Sequence, residues 1–170
     1  MKRNKDMDNR EILQKLAEKE VKTTEGTIAD ETVFKYLIFS IDSGKVCFKA
    51  ELVKEIVLNT SVYFIPFCPP YIRGLINRHG DPYTVFDLNI LFENQKQESS
   101  KFIVINEKDD HISFMIKEII EIVEIRKADI YNIETQEDGN EFVQGFIIYK
   151  NEKIFIIDLN KIKKRLENDL

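Results

Sequence analysis

From Phe34 the chain alternates. Phe34, Tyr36, Ile38 and Ser40 interleave with Lys35, Leu37, Phe39 and Ile41, so an extended segment here is apolar on nearly both faces. Aromatic and β-branched residues in such a run predict a strand covered from both sides. Asp42, Ser43, Gly44 and Lys45 make a polar turn into Val46, Cys47, Phe48, Lys49 and Ala50, which gives a hairpin. A short strand is predicted over 55–58. A second hairpin follows, with 71–77 and 83–86 flanking the turn residues Arg78, His79, Gly80, Asp81 and Pro82. Asp87 ends the last strand, where its carboxylate is placed to cap the turn 89–92.

The second half of the chain repeats this pattern. Tyr36, Val46, Phe48, Val53 and Glu55 return 66 positions later as Phe102, Ile112, Phe114, Ile119 and Glu121; Gly74 and Asp87 return 71 positions later as Gly145 and Asp158. The linking segments account for the change of offset, since 58–70 holds 13 residues and 124–141 holds 18, and 18 − 13 = 71 − 66. The copies are therefore collinear. A hairpin is predicted over 102–106 and 111–116, a strand over 121–125, a second hairpin over 142–149 and 154–157, and a helix over 161–166. A period near 70 residues suits a small barrel-sized lobe and is too long for a solenoid unit. Chance similarity between apolar strands does not explain why a glycine and an Asp-Leu-Asn triplet also match in register. About ten short strands are expected, with no long amphipathic helix between consecutive ones. The fold class is mainly β, as two pseudo-symmetric lobes sharing a core.

Residues 1–31 differ in composition: charged, without aromatics, and with a thin apolar stripe of Met7, Ile12, Leu16 and Val21. Asn9 is placed to cap a helix over 10–22, but such a helix buries little, so a helical or flexible N-terminal extension is expected. The whole chain is 43% hydrophobic, and the body, 32–170, draws on 12 Phe and 6 Tyr to fill a core. A net charge of −5 argues against a nucleic-acid partner, which needs clustered cations. Cys47 and Cys68 lack metal-ligand or redox spacing and read as buried thiols. No apolar run approaches the 18 residues of a membrane span, and the first six residues lack the apolar segment of a signal peptide, so a cytoplasmic protein without membrane insertion is expected.

Catalytic chemistry is not evident. Asp42, Ser43, Gly44 and Lys45 resemble the end of a phosphate loop, but the required upstream glycine is Phe39 and the hydroxyl position is Val46. No nucleophile-elbow sequence occurs. His79 and His111 occupy non-equivalent positions, which argues against a shared metal site. Glu55 and Glu121 recur as a pair, and a repeated structural carboxylate is favoured over a symmetric acid/base site. No cofactor, metal or enzyme activity is expected, and protein contact is the expected role. A small-ligand-binding β module with an aromatic cleft between lobes is the alternative.

The stretch from Pro66 through Tyr71, Gly74, Asn77 and Gly80 to Asp87 and Leu88 resembles the central signature of CheW-like coupling proteins of bacterial chemotaxis. Val53, Lys54, Glu55 and Ile56 are similar to that family's Val-x-Glu-Ile element, and 116–123 resembles its later Val-Asp-x-Val-x-Glu-Val element. The resemblance covers about 34–166. It implies two intertwined five-stranded SH3-like barrels, with lobes of roughly 45–100 and 32–44 plus 101–157, a short C-terminal helix, and the extension 1–31 outside. It also implies an adaptor joining the cytoplasmic tip of a methyl-accepting chemoreceptor to the regulatory domain of a CheA-type histidine kinase. Val53, Glu55, Ile56 and Gly74 match positions around the implied receptor groove, with Arg78 and His79 completing the expected contact set. The family's Asn-Leu-Arg-Gly reads Asn77, Arg78, His79, Gly80 here, so the implied arginine position holds His79, and Lys117 stands where aspartate is usual. These departures leave a CheW-like adaptor of a divergent, non-flagellar signalling system as a further alternative.

Overall fold

The computed structural model describes residues 32–92, 95–133 and 141–169. The expected helix capped by Asn9 lies outside the described residues. The described elements are β1 (Val33–Ile41), β2 (Gly44–Lys49), β3 (Val53–Leu58), β4 (Ile72–Arg78), β5 (Asp81–Asp87), α1 (Leu88–Leu91), β6 (Lys101–Ile105), β7 (Ile112–Ile116), β8 (Glu118–Arg126), β9 (Ile130–Asn132), β10 (Val143–Tyr149), β11 (Glu152–Ile157) and α2 (Leu159–Asp169). The fold is mainly β, with two sheets and a short C-terminal helix. One sheet runs β8-β1-β2-β11-β10-β9 and the other β3-β6-β7-β5-β4.

These orders superimpose the two halves of the chain and show an exchange between them. The hairpin β1–β2, from the first half, sits in the sheet otherwise built from the second; the hairpin β6–β7 does the reverse. Each donated hairpin is joined by a short parallel pairing, Phe155 beside Val46 in one sheet and Phe86 beside Phe114 in the other. The lobe boundary therefore differs from the expected 45–100 and 32–44 plus 101–157. Asp42 and Ser43 are the whole connection between β1 and β2, and a two-residue hairpin cannot divide its strands between lobes.

Each sheet closes on itself. Only the short 3₁₀ turn Lys127–Asp129 separates β8, at one edge, from β9, at the other, so the sheet must curl until its edges meet. In the other lobe the closing contact shrinks to one bridge, in which Tyr63 and Leu75 exchange both backbone hydrogen bonds at 2.7 and 2.8 Å. The repeated glycines explain how the closing segment fits. A Cβ on Gly74 would lie 2.2 Å from the Tyr63 carbonyl oxygen, and one on Gly145 would lie 2.4 Å from that of Tyr131. Both glycines also sit where the register of their hairpin breaks. Gly74 thus combines close backbone packing with a φ of +134°.

Burial accounts for the doubly apolar strands. On β1, Tyr36 and Ile38 point into the six-stranded barrel with Cys47, Ile147 and Ile156, while Leu37 and Phe39 point into a central core. On β6, Phe102 and Val104 fill the five-stranded barrel with Ile76 and Val85, while Ile103 and Ile105 reach the same central core. That core is shared between lobes. Phe48, Phe86 and Phe114 meet there, with ring centroids 5.0 and 5.7 Å apart across the two contacts.

Asp87 and Asp158 play the expected capping role in both halves, each Oδ1 accepting from the backbone N–H two residues on at 3.0 Å. Asp87 does more. Its Oδ2 accepts from Arg73 Nη1 at 2.9 Å and from the Gln97 N–H at 3.1 Å. Arg73 and Asp87 are 11% and 0% exposed at the side chain, so the ion pair is buried. Two closing loops are shorter than the sequence suggested: His79 and Gly80 alone connect β4 to β5, and Lys150 and Asn151 alone connect β10 to β11. All four residues have positive φ, the backbone that a tight type I′ turn requires.

Candidate partner-docking face

Glu55 lies on β3, an edge strand, just after a break in its pairing with β6. The break turns the carboxylate toward the end of β4 across the barrel closure. There Arg78 grips it with both prongs, Nε to Oε1 at 3.0 Å and Nη2 to Oε2 at 2.7 Å. A planar guanidinium supplies this two-point geometry and a lysine would not. The side chains remain 27% and 26% exposed, so the pair is half-buried and reachable.

The arginine is thus present, one position earlier than the family pattern implies. His79 occupies the left-handed first position of the hairpin turn, φ 55°, a conformation that histidine tolerates better than most residues. Gly80 follows, its N–H donating to Asn77 Oδ1 at 3.1 Å. The tight turn twists the end of β4 and brings Arg78 to the carboxylate, leaving His79 exposed at the tip.

The hydrogen bonds from Arg78 hold the Glu55 carboxyl below the usual carboxylate range. A lowered folded-state pKa contributes stability above the unfolded-state value and loses it as pH falls through the folded value. We therefore expect the stability difference between wild type and Glu55→Gln to be constant above the ordinary glutamate range and to disappear on acidification below it. Urea unfolding across that pH range checks this. A difference that grows on acidification would refute it.

The second lobe repeats the device with other chemistry. Glu121 on β8 accepts from the Tyr149 hydroxyl and from Lys150 Nζ at 3.2 Å. By the 71-residue offset Tyr149 stands where Arg78 stands and Lys150 where His79 stands. The recurring glutamates therefore each tie an edge strand to the hairpin end across their own barrel, in separate lobes. This is the repeated structural role favoured from sequence.

The remaining expected contact residues divide. Ile56 is exposed at 41%. Val53 is partly buried against the central core, and Gly74 is buried under the Tyr63 backbone. The structure thus gathers Glu55, Arg78 and His79 at one end of the face, and places Val53 and Gly74 beneath it as support. Lys54 belongs with the exposed group, donating to the Tyr83 hydroxyl at 2.7 Å, while Tyr83 stacks on His111 with centroids 4.7 Å apart.

An aromatic loop was missed. Between β3 and β4, Tyr63, Phe64 and Phe67 stand largely in solvent, and Phe67 has a positive φ of 61°. Beside it lies a groove of about 570 Å³, partly open to solvent and lined in part by Val62, Ile65, Cys68, Pro69 and Ile72. The signal was legible as an unalternating apolar run in a segment too rich in proline for a central strand. Cys68 is half-exposed there, which corrects its reading as a buried thiol; Cys47 is buried, and burial pushes its thiol up to about 12. Among the described residues no His, Cys, Asp or Glu cluster has the makings of a metal site, and no helix is long and apolar enough to cross a membrane.

A CheW-like domain is matched over residues 35–167, which covers both barrels and nearly all of α2. The chain belongs to the CheW-like family. Among its relatives is the chemotaxis protein CheW of Helicobacter pylori, 22% identical over 140 residues, covering 80% of this chain and 85% of that one. CheW of Bacillus subtilis is 23% identical over 133 residues, covering 75% and 85%. The fold matches that of the scaffolding protein TtCheW from Thermoanaerobacter tengcongensis with a TM-score of 0.69, at 24% identity over 75% of this chain and 90% of that one. For a CheW-like chain, the paired barrels and shared core are thus the expected architecture.

Proposed function

We propose that this CheW-like chain is a cytoplasmic, non-catalytic adaptor of a chemotaxis-type signalling system, joining a methyl-accepting chemoreceptor tip to the regulatory domain of a CheA-type histidine kinase. The observation that carries this reading is the presence of two pseudo-equivalent faces on separate lobes of one core. Ile56 and Leu58 are exposed beside the Glu55–Arg78 clamp; Ile120, Ile122 and Ile148 are exposed beside the Glu121–Tyr149 clamp. Two exposed apolar edges flanked by satisfied polar groups suit two partners held at once. Family membership supports the same role. The adaptor acts by holding both partners at high effective concentration, so each contact can be modest in size.

The small-ligand reading has less support, because the groove beside the aromatic loop is partly open and, among the described residues, every buried side-chain nitrogen or oxygen already has a hydrogen-bond partner. Among the candidate contact residues, we expect Glu55, Ile56, Arg78 and His79, all at least partly exposed, to meet the partner. The test mixes the full chain with a receptor cytoplasmic fragment and a kinase regulatory domain and follows the complexes by size exclusion and calorimetry. A ternary complex is expected, with Arg78→Ala weakening one binary contact by about tenfold and leaving the other intact. Failure to bind either partner would reject the proposal.

A further inference from the structure

The two halves differ in the helix after their last strand. In the first, α1 is four residues long; in the second, α2 is eleven. Both helices reach across to the turn of a donated hairpin in the other lobe. On the α1 side the contact is chiefly neutral and buried: Asn89 Oδ1 accepts from the Ser43 N–H at 2.8 Å and Gln97 Oε1 from the Asp42 N–H at 3.2 Å, with one exposed ion pair, Lys117 to Asp42, alongside. Asn89 and Gln97 are 3% and 0% exposed.

On the α2 side the contact is ionic. Leu159 and Ile162 are buried in the central core, which fixes the first turn of the helix; Leu166, in the part from 163 onward, is only half-buried against that core. Lys161 Nζ donates to the Val143 carbonyl at 2.9 Å and anchors the helix to its own barrel. Lys163 Nζ then lies 2.7 Å from both Glu107 and Asp110, in the β6–β7 turn of the opposite barrel. At the far end Asp169 Oδ2 accepts from the hydroxyl of Tyr71, also of the opposite barrel, at 2.9 Å, and from Arg165 Nε at 2.8 Å.

We propose that α2 is a releasable strap between the barrels, hinged at its core-bound start and fastened at 163–169 by contacts that electrolyte weakens. The charged groups at this fastening are partly exposed, so dissolved ions screen them, whereas the amides that hold the 42–43 turn are buried and neutral. Fastened, the strap limits motion of one barrel against the other. Released, it frees the lobes from the α2 side alone, because the α1 side stays tied. The strap would therefore set how independently the two exposed faces move.

The test is backbone hydrogen exchange on the full chain without partners, at low and at molar NaCl, for wild type, Lys163→Met, and Glu107→Gln combined with Asp110→Asn. Molar salt is expected to lower protection of 163–169 about tenfold, with the 42–49 hairpin unchanged. Both variants should show the low protection already at low salt and respond little to more. If salt and both variants leave 163–169 as protected as before, or if both donated hairpins loosen together, the strap is refuted. Since no partner is present, this outcome is separate from the fate of the adaptor reading.

Discussion

Gly74→Ala is expected to be among the most destabilising single substitutions in the body, costing about 3 kcal/mol or more. Two effects add. The new Cβ would lie 2.2 Å from a backbone carbonyl oxygen, and the backbone at φ +134° is one that L side chains rarely adopt. The carbonyl cannot move freely, because the Tyr63–Leu75 bridge that closes the five-stranded barrel uses it. Gly145→Ala should cost less, having the carbonyl clash at 2.4 Å without a positive φ. Gly44→Ala isolates the other effect, since Gly44 has φ +146° and a Cβ there would meet nothing within 4 Å. Denaturant midpoints for the three variants should therefore rank Gly74 as costliest. If Gly74→Ala is no worse than Gly44→Ala, the closing strand does not constrain this position.

Arg73→Met is the second large effect, with an expected loss of about 3 to 5 kcal/mol. The methionine preserves much of the packing but leaves the fully buried Asp87 carboxylate without its cation. The backbone N–H groups of Asn89 and Gln97 would still bond to it, which places the cost toward the lower end of that range. Arg73 also holds the Gln97 carbonyl at 2.7 Å, so the segment that positions the Gln97 amide against the 42–43 turn should loosen as well. Pairing Arg73→Met with Asp87→Asn removes the orphaned charge and should recover part of the loss. A double variant as unstable as the sum of the two singles would show that the residues act independently.

The repeat was legible in the sequence because both barrels use the same burial pattern. Tyr36 and Phe102, or Phe48 and Phe114, face equivalent apolar surroundings, and Gly74 and Gly145 each make room for a carbonyl. Which barrel each hairpin joins was not legible. Val46 to Phe48 would be as well buried against either half, and the choice is made by parallel pairing with β11, a contact of more than 100 residues' separation that alternation cannot encode. The same limit applies to Arg78. Its side-chain direction depends on a turn of two residues where the sequence suggests five, and that difference of register is what aims the guanidinium at Glu55. The burial of Asn89 and Gln97 was not legible, because polar residues in a short turn or a linking segment look solvated until the turn of another lobe is seen to cover them.

The exchange of leading hairpins has a consequence for folding. A single copy that kept this arrangement would lend its leading hairpin to a second molecule and take that molecule's in return. Folding of a pair exchanged in that way depends on concentration. Within one chain the exchange is intramolecular and independent of concentration, and the halves are free to differ, one carrying a stub of helix and the other a full one.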